Sequence, residues 1–293
     1  MTPDHLAAAT PDCMEQAPIL VATRFSFLGQ SGWKSDASRD PQLLFQEDRL
    51  WRRLELFSTI ALPSLAAQTH QDFHHLILTS DRLPGWAMEE LDDACLLAYG
   101  DRTRFTILAQ PPMLARRPLR LFMQGRYPDP VVVQVVLDDD DGLATDFMAD
   151  LRAQLATHGN GRADAAGSLP YFISFPEGYG FLLRDGKDEA AEIYLHRYPY
   201  INLGLAMIGT PDGKNIFAID HRAAPRKYGG RLVPGKPMFL RTVHDFNDSR
   251  VSPTESWKAL PAWRNNAALN RRFPWLFSPE AAWNAPGSDM AAG

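Results

Sequence analysis

The chain has 293 residues, 45% of them apolar and 22% charged, the composition of an ordinary soluble globule with ample apolar matter for a full core. Its net charge of −5 and pI near 5.9 exclude a non-specific nucleic-acid binder, since no basic stripe outweighs the acids. Two isolated cysteines, Cys13 and Cys95, exclude a disulfide framework or a cysteine-based zinc site, and no apolar run approaches the ~20 residues of a membrane span.

Residues 1–17 are polar and acidic, without the apolar segment of a signal peptide, and read as a disordered tail. The expectation is a cytoplasmic protein whose contact with a membrane, if it has one, is peripheral. The first strand is expected at Ile19-Leu20-Val21-Ala22-Thr23, closing on Arg24-Phe25, before a loop of Gly, Ser and charge from Gly29 to Asp40. Asp40-Pro41 supplies a cap and a first-turn proline, and Leu50, Leu54, Phe57 and Ala61 recur at helical spacing, which predicts one amphipathic helix to about Ala61. A second strand is expected at Leu76–Thr79, ending in Ser80-Asp81, then a helix from Pro84 to Ala98. A third strand follows from Arg104 to Leu108 and a helix over 115–126. Three strand–helix units in a row predict an α/β fold built on a parallel sheet.

The most informative stretch comes next. Val131-Val132-Val133-Gln134-Val135-Val136-Leu137 reads as a strand buried on both faces, and four aspartates, Asp138 to Asp141, follow it directly. Thr145 offers an N-cap, with Phe147, Leu151 and Leu155 at helical spacing, so a helix is expected just past Gly142. Open α/β sheets place ligands at the carboxyl ends of their strands. Crowded carboxylates repel unless a cation or strong donors compensate them, and magnesium or manganese suits such oxygen-rich sites. An EF-hand loop fails on spacing, because Gly142 as its invariant glycine would put Leu137 at the first ligand position. An aspartyl-nucleophile phosphohydrolase fits Asp139-x-Asp141-Gly locally, but that motif usually opens its domain and the expected threonine is Leu143. It stands as the enzyme alternative. Beyond the aspartates, Tyr171–Leu183 and Ile193–Ile208 read as strands or hairpins, with short helices at 255–272 and a flexible tail over 284–293.

Thr23-Arg24-Phe25, the segment Leu62-Pro63-Ser64-Leu65-Ala66-Ala67-Gln68-Thr69, Leu137-Asp138-Asp139-Asp140-Asp141 and His244-x-x-Asn247-x-Ser249 together cover residues 19–250. In this order they resemble a bacterial rhamnosyltransferase family of the glycosyltransferase A-type fold, which carries an Asp-x-Asp motif. The resemblance implies a Rossmann-like mixed sheet flanked by helices, in a single domain over 18–283 with a nucleotide-binding half at 18–157 and an acceptor half at 158–283. It also implies a nucleotide-sugar donor, a saccharide or glycolipid acceptor, Mn2+ or Mg2+, and no nucleic acid.

On that reading Asp140 and Asp141 are the metal ligands, joined by His244, whose histidine position the resemblance supplies. Asp138 meets the ribose or a metal-bound water, and Asp139 caps the following helix. Thr23, Arg24 and Asp81 frame the base or ribose from the ends of the first two strands, and among Arg116, Arg117 and Arg120 the last is the candidate for the diphosphate. An inverting transfer needs a group to deprotonate the acceptor hydroxyl. Glu177, Asp220 and His221 all remain options. Tyr171, Phe172, Tyr179, Phe181, Tyr198 and Tyr200 offer rings for sugar stacking. A non-catalytic nucleotide- or sugar-binding protein on the same fold is the non-enzyme alternative.

Overall fold

The apolar runs of the first half become strands buried on both faces. The structure is a computed structural model and describes residues 14–30, 40–159, 169–183, 191–244 and 257–277. Strand β1 spans Ile19–Arg24, β2 Gly29–Gln30, β3 His74–Ser80, β4 Phe105–Gln110, β5 Met113–Leu114, β6 Val132–Val136 and β7 Gly142–Leu143. The second half adds β8 (Tyr171–Ser174), β9 (Glu177–Leu182), β10 (Glu192–Arg197), β11 (Ala206–Gly209), β12 (Gly229–Leu232), β13 (Phe239–Val243) and β14 (Lys258–Ala259). Seven strands form one sheet in the order β12-β8-β11-β6-β1-β3-β4. Within it β6, β1, β3 and β4 are parallel, and β11 runs antiparallel to β6. A second sheet has the order β14-β10-β9-β13-β7, and β2 pairs with β5. This is the mixed α/β sheet flanked by helices that the sequence predicts, with the aspartate-bearing strand at the middle of the larger sheet.

Side-chain parity along β1 sorts the core into two layers. Ile19 and Val21 face Leu50, Leu54, Leu151 and Leu155, whereas Leu20 and Ala22 face Leu119 and Met123 on the other side. Met14 and Ala17, within the segment read as a tail, are also buried, and Arg152 donates to the carbonyls of Glu15 and Ala17 at 2.8 and 2.7 Å.

Two local readings change. The single helix expected from Asp40 is broken: Asp40 does cap a first turn, Pro41–Leu44, but a new helix starts at Glu47 and runs to Leu56. It widens into a π-helical stretch, Phe57–Ala61, before Leu62–Ala66. Pro63 has no N–H for the Thr59 carbonyl and its ring crowds that carbonyl, so the ladder opens and Leu62 donates to Phe57 instead. The helix expected just past Gly142 begins later, at Phe147, because Gly142–Leu143 pairs with β13 as strand β7. Gly142 is needed there, since a Cβ would stand 2.5 Å from the Trp275 ring. Among the described residues no helix is long and apolar enough to cross a membrane.

Adjacent histidines in β3 are locked neutral. His75 is fully buried, with Nε2 2.9 Å from the Thr23 hydroxyl and Nδ1 2.8 Å from the Tyr99 hydroxyl. Burial, then the neighbouring His74, pushes its pKa down to about 3. Burial and the Arg126 guanidinium push His74 down to about 4. In the unfolded chain both take a proton near pH 6.5, so their contribution is fully present above that value and is lost as pH falls toward the folded pKa. At pH 5 His75 alone should cost about 2 kcal/mol of stability. Urea midpoints should therefore drop between pH 7 and pH 5, less steeply in His75→Gln. A flat profile would show that the imidazole accepts its proton within the fold.

Candidate active site

The parallel strands run outward from β1 in both directions, β3 and β4 to one side and β6 to the other, so the topological switch point lies between the carboxyl ends of β1 and β6. Arg24 ends β1 and Asp138 follows β6. Their side chains meet at 3.0 Å across that point, with Arg24 only 4% exposed. The guanidinium also lies over the Phe217 ring, 4.9 Å from its centre.

Each remaining aspartate meets a different partner. Asp139 is 1% exposed and makes a bidentate ion pair with Arg53, whose Nε donates to Oδ2 at 2.9 Å. Asp140 faces His244, with Nε2 and Oδ2 3.1 Å apart. Asp141 accepts the Thr242 backbone N–H at 2.8 Å. Burial pushes the Asp139 carboxyl up to about 7 against the pull of Arg53, and Asp140 adds to the rise. Burial, then Asp140 and Asp138, raises Asp141 well above the carboxylate range. For Asp140 burial is outweighed by the hydrogen bond and charge of His244, with Arg53 assisting, and its pKa falls.

This arrangement corrects one expectation. Asp139 does not cap the helix, which starts at Phe147; it is buried as the counter-ion of Arg53. Thr23 lies at the right strand end but its hydroxyl is bonded to His75 inside the fold, so it turns no polar group toward a ligand. Asp81 is exposed after β3, and Arg120 is half-buried with its Nε unpartnered. Asn247 and Ser249 lie outside the described residues, and of their motif only His244 is seen.

The three proton-acceptor candidates differ in what holds them. Glu177 accepts from Arg197 at 3.2 Å and from the Gly235 N–H at 3.3 Å. Asp220 is exposed and accepts the Arg222 N–H, shaping the turn before Ala224–Lys227. His221 has its Nδ1 2.8 Å from the Tyr200 carbonyl, so Nδ1 carries the proton and Nε2 keeps its lone pair. Tyr200 itself has a positive φ of 55°, a conformation a non-glycine residue adopts only when its surroundings hold it there. Of the rings expected to stack on sugar, Phe172, Tyr179 and Phe181 are core, while Tyr171, Tyr198 and Tyr200 are half-buried.

The donor set offers carboxylate oxygens and one imidazole, chemistry suited to manganese or magnesium. Asp140 and His244 already face each other. No group of three or more His, Cys, Asp or Glu stands in metal-holding geometry among the described residues. Arg53 was missed by sequence reasoning, although it sits three residues after Leu50 on the helix face that turns inward.

A protein-family model described as "Putative rhamnosyl transferase" matches residues 18–256. The chain belongs to this family. It is therefore a glycosyltransferase, as the order of its motifs suggested. No curated protein matches the sequence. Among solved structures the chain is similar to S. aureus TarS, at 10% identity and a TM-score of 0.35, over 77% of this chain but only 37% of TarS. It is similar to HddC from Yersinia pseudotuberculosis, at 8% and 0.37, over 77% and 93% of the two chains. A "putative nucleotide-diphospho-sugar transferase" from Desulfovibrio desulfuricans G20 is matched at 11% and 0.36, over 91% and 96%. These structural likenesses are loose, and membership of the rhamnosyl transferase family rests on the family match alone.

The Arg53–Asp139 pair makes a sharp prediction for a member of this family. Asp139→Ala removes the carboxylate that the buried Arg53 guanidinium grips through two nitrogens and should cost about 3–5 kcal/mol. The double change Arg53→Met with Asp139→Leu should recover much of that loss. Urea denaturation of the three proteins measures it. Equal destabilisation by the single and double changes would mean that the pair is not the source of the penalty.

Proposed function

We propose that the chain transfers a sugar, rhamnose by the family's description, from a nucleotide-diphosphate donor to a saccharide or glycolipid acceptor, with Asp140 and His244 holding Mn2+ or Mg2+ beside the switch point. The observation that carries this reading is the Asp140–His244 pair, both residues more than nine-tenths buried, at the end of the central strand. Asp141 adjoins them, and its Oδ1 takes the Thr242 amide. When bound, the cation would neutralise the charge developing on the departing diphosphate. We further place the activity in the cytoplasm, with peripheral contact at a membrane where the acceptor is a glycolipid.

The chain's own groups supply the rest. Arg24, fixed by Asp138 and Phe217, would orient the ribose or phosphates at the switch point, with Asp81 and Arg120 at its margins. His221 is the base we favour over Glu177 and Asp220. Its Nδ1 is tied to a carbonyl, which orients the ring and leaves Nε2 to take the acceptor hydroxyl proton. The phosphohydrolase alternative would make Asp139 its nucleophile, but a carboxylate sealed in an ion pair and 1% exposed cannot attack a phosphate.

Metal and nucleotide should bind together. Calorimetry with UDP, dTDP and GDP should show tighter binding with manganese than without, and Asp140→Ala should remove the difference while keeping the apo melting temperature. Equal affinity with and without manganese would sink the metal site. His221→Gln should lower kcat by roughly 10²–10⁴ and leave nucleotide binding unchanged. Wild-type turnover in that variant would return the role to Glu177 or Asp220.

A further inference from the structure

On the second sheet Gly178 of β9 pairs with Phe239 of β13 on one side and His196 of β10 on the other. Gly180 pairs likewise with Arg241 and Tyr194. These residues share one face, while the intervening Tyr179, Phe181 and Ile193 turn into the core. The two glycines bring no side chain to that face, and rings fill the space. A Cβ on Gly178 would stand 2.3 Å from the Phe239 ring, and one on Gly180 would stand 2.2 Å from the Trp257 ring. The aromatic side chains therefore lie directly on the strand backbone.

His196 sits within this layer. Its ring centre is 4.4 Å from that of Trp257 and 6.1 Å from that of Tyr198, to which it is nearly parallel at 9°. Burial, then Arg241, pushes its pKa down to about 4, so the imidazole is uncharged at neutral pH. His196 is 8% exposed, whereas Tyr198 and Trp257 are partly exposed.

The position matters as much as the composition. Arg241 lies on the same face, and the next residue of β13, Thr242, donates its amide to Asp141 at 2.8 Å, so the layer borders the aspartate turn. At its other end the Tyr198 ring meets His221 edge-on, with centres 6.3 Å apart. A row of rings with polar edges, flanked by Arg241, thus runs from the strand that meets the acidic turn to the candidate base. Such a surface matches a pyranose, whose C–H face packs on π-faces while its hydroxyl rim needs hydrogen-bond partners.

We infer that the Trp257–His196–Tyr198 shelf binds the acceptor saccharide, stacking one pyranose ring so that its hydroxyl faces His221. This rests on the transferase reading and adds the acceptor's chemistry and place to it. Gly178 and Gly180 are the reason the rings of Phe239 and Trp257 can rest on the strand backbone. Tyr171 and Tyr200, though half-buried, are outside it.

The test titrates wild type, Trp257→Ala and Tyr198→Ala with methyl α-rhamnoside, methyl α-mannoside, maltotriose and chitotriose, read by saturation-transfer NMR and tryptophan fluorescence. Manganese with UDP, dTDP or GDP is titrated in parallel. At least one saccharide should bind the wild type, and Trp257→Ala should bind it roughly tenfold more weakly. The same variant should bind manganese and nucleotide diphosphate as the wild type does. Should Trp257→Ala lower the melting temperature, Trp257→Leu and Trp257→Phe replace it, and only the second should retain saccharide affinity. The inference is overturned if no saccharide binds the wild type, or if both ring deletions bind it unchanged. If saccharide binding is lost in the variants but no nucleotide diphosphate binds any of the proteins, the shelf stands and the transferase reading falls.

Discussion

The structure depends on how four carboxylates at the end of a fully buried strand are compensated. Left alone in that position they would repel one another in surroundings that solvate charge poorly. Each is met by a group distant in sequence: Arg24 on Asp138, Arg53 on Asp139, and from the end of β13 His244 on Asp140 and the Thr242 amide on Asp141. The partners are 114, 86, 104 and 101 residues away in sequence. The acidic turn is consequently the point where β1, the Glu47–Leu56 helix and β13 converge.

The first half was legible because its signals are local. Runs of β-branched residues gave β1, β3 and β6, and the strand–helix alternation gave the parallel order and hence the switch point. The second half was far less so. Its strands are two to six residues long, and one of their pairings, β13 on β9, joins parallel strands across more than fifty residues. No periodicity within a short window encodes that register. The same limit hid the partner of Asp139. Four adjacent aspartates suggested a missing cation, and nothing local said that the protein carries its own cation, Arg53, on the inward face of a helix. Thr23 was readable by parity, since Val21 and Phe25 on either side of it both enter the core. Its hydroxyl follows them inward, to His75.

The second sheet does for the site what the first cannot. A parallel α/β sheet delivers strand ends to one edge, which suits a ligand lying across them, but it offers no flat surface there for a second substrate. On the proposed reading strands β13, β9 and β10 supply an aromatic one, and the glycines of β9 let the rings of Phe239 and Trp257 rest on the backbone. The two sheets meet at Asp141, which lies between β6 of the first and β7 of the second and is bonded by the Thr242 amide of the second. Donor and acceptor functions, on the proposed reading, are divided between the sheets along that seam.

The kinds of compensation at the acidic turn differ in a way that bears on chemistry. A guanidinium is permanently charged and holds its carboxylate in a fixed, fully satisfied fork, so Asp139 is fixed by Arg53 and unavailable for other work. A buried ion pair of this kind adds little net stability over apolar packing, and its value is geometric: it fixes the first part of the turn. An imidazole is a weaker and reversible partner. Neutral, its Nε2 carries either a proton for a carboxylate or a lone pair for a cation, depending on which tautomer is present. Asp140 is the aspartate that meets such a group, within a turn whose neighbours are held by firmer means. A carboxylate paired with an imidazole can admit a cation between them without leaving an uncompensated charge behind. On the proposed reading that asymmetry, more than the number of aspartates, makes Asp140 and His244 the pair that would bind and release a metal with the donor.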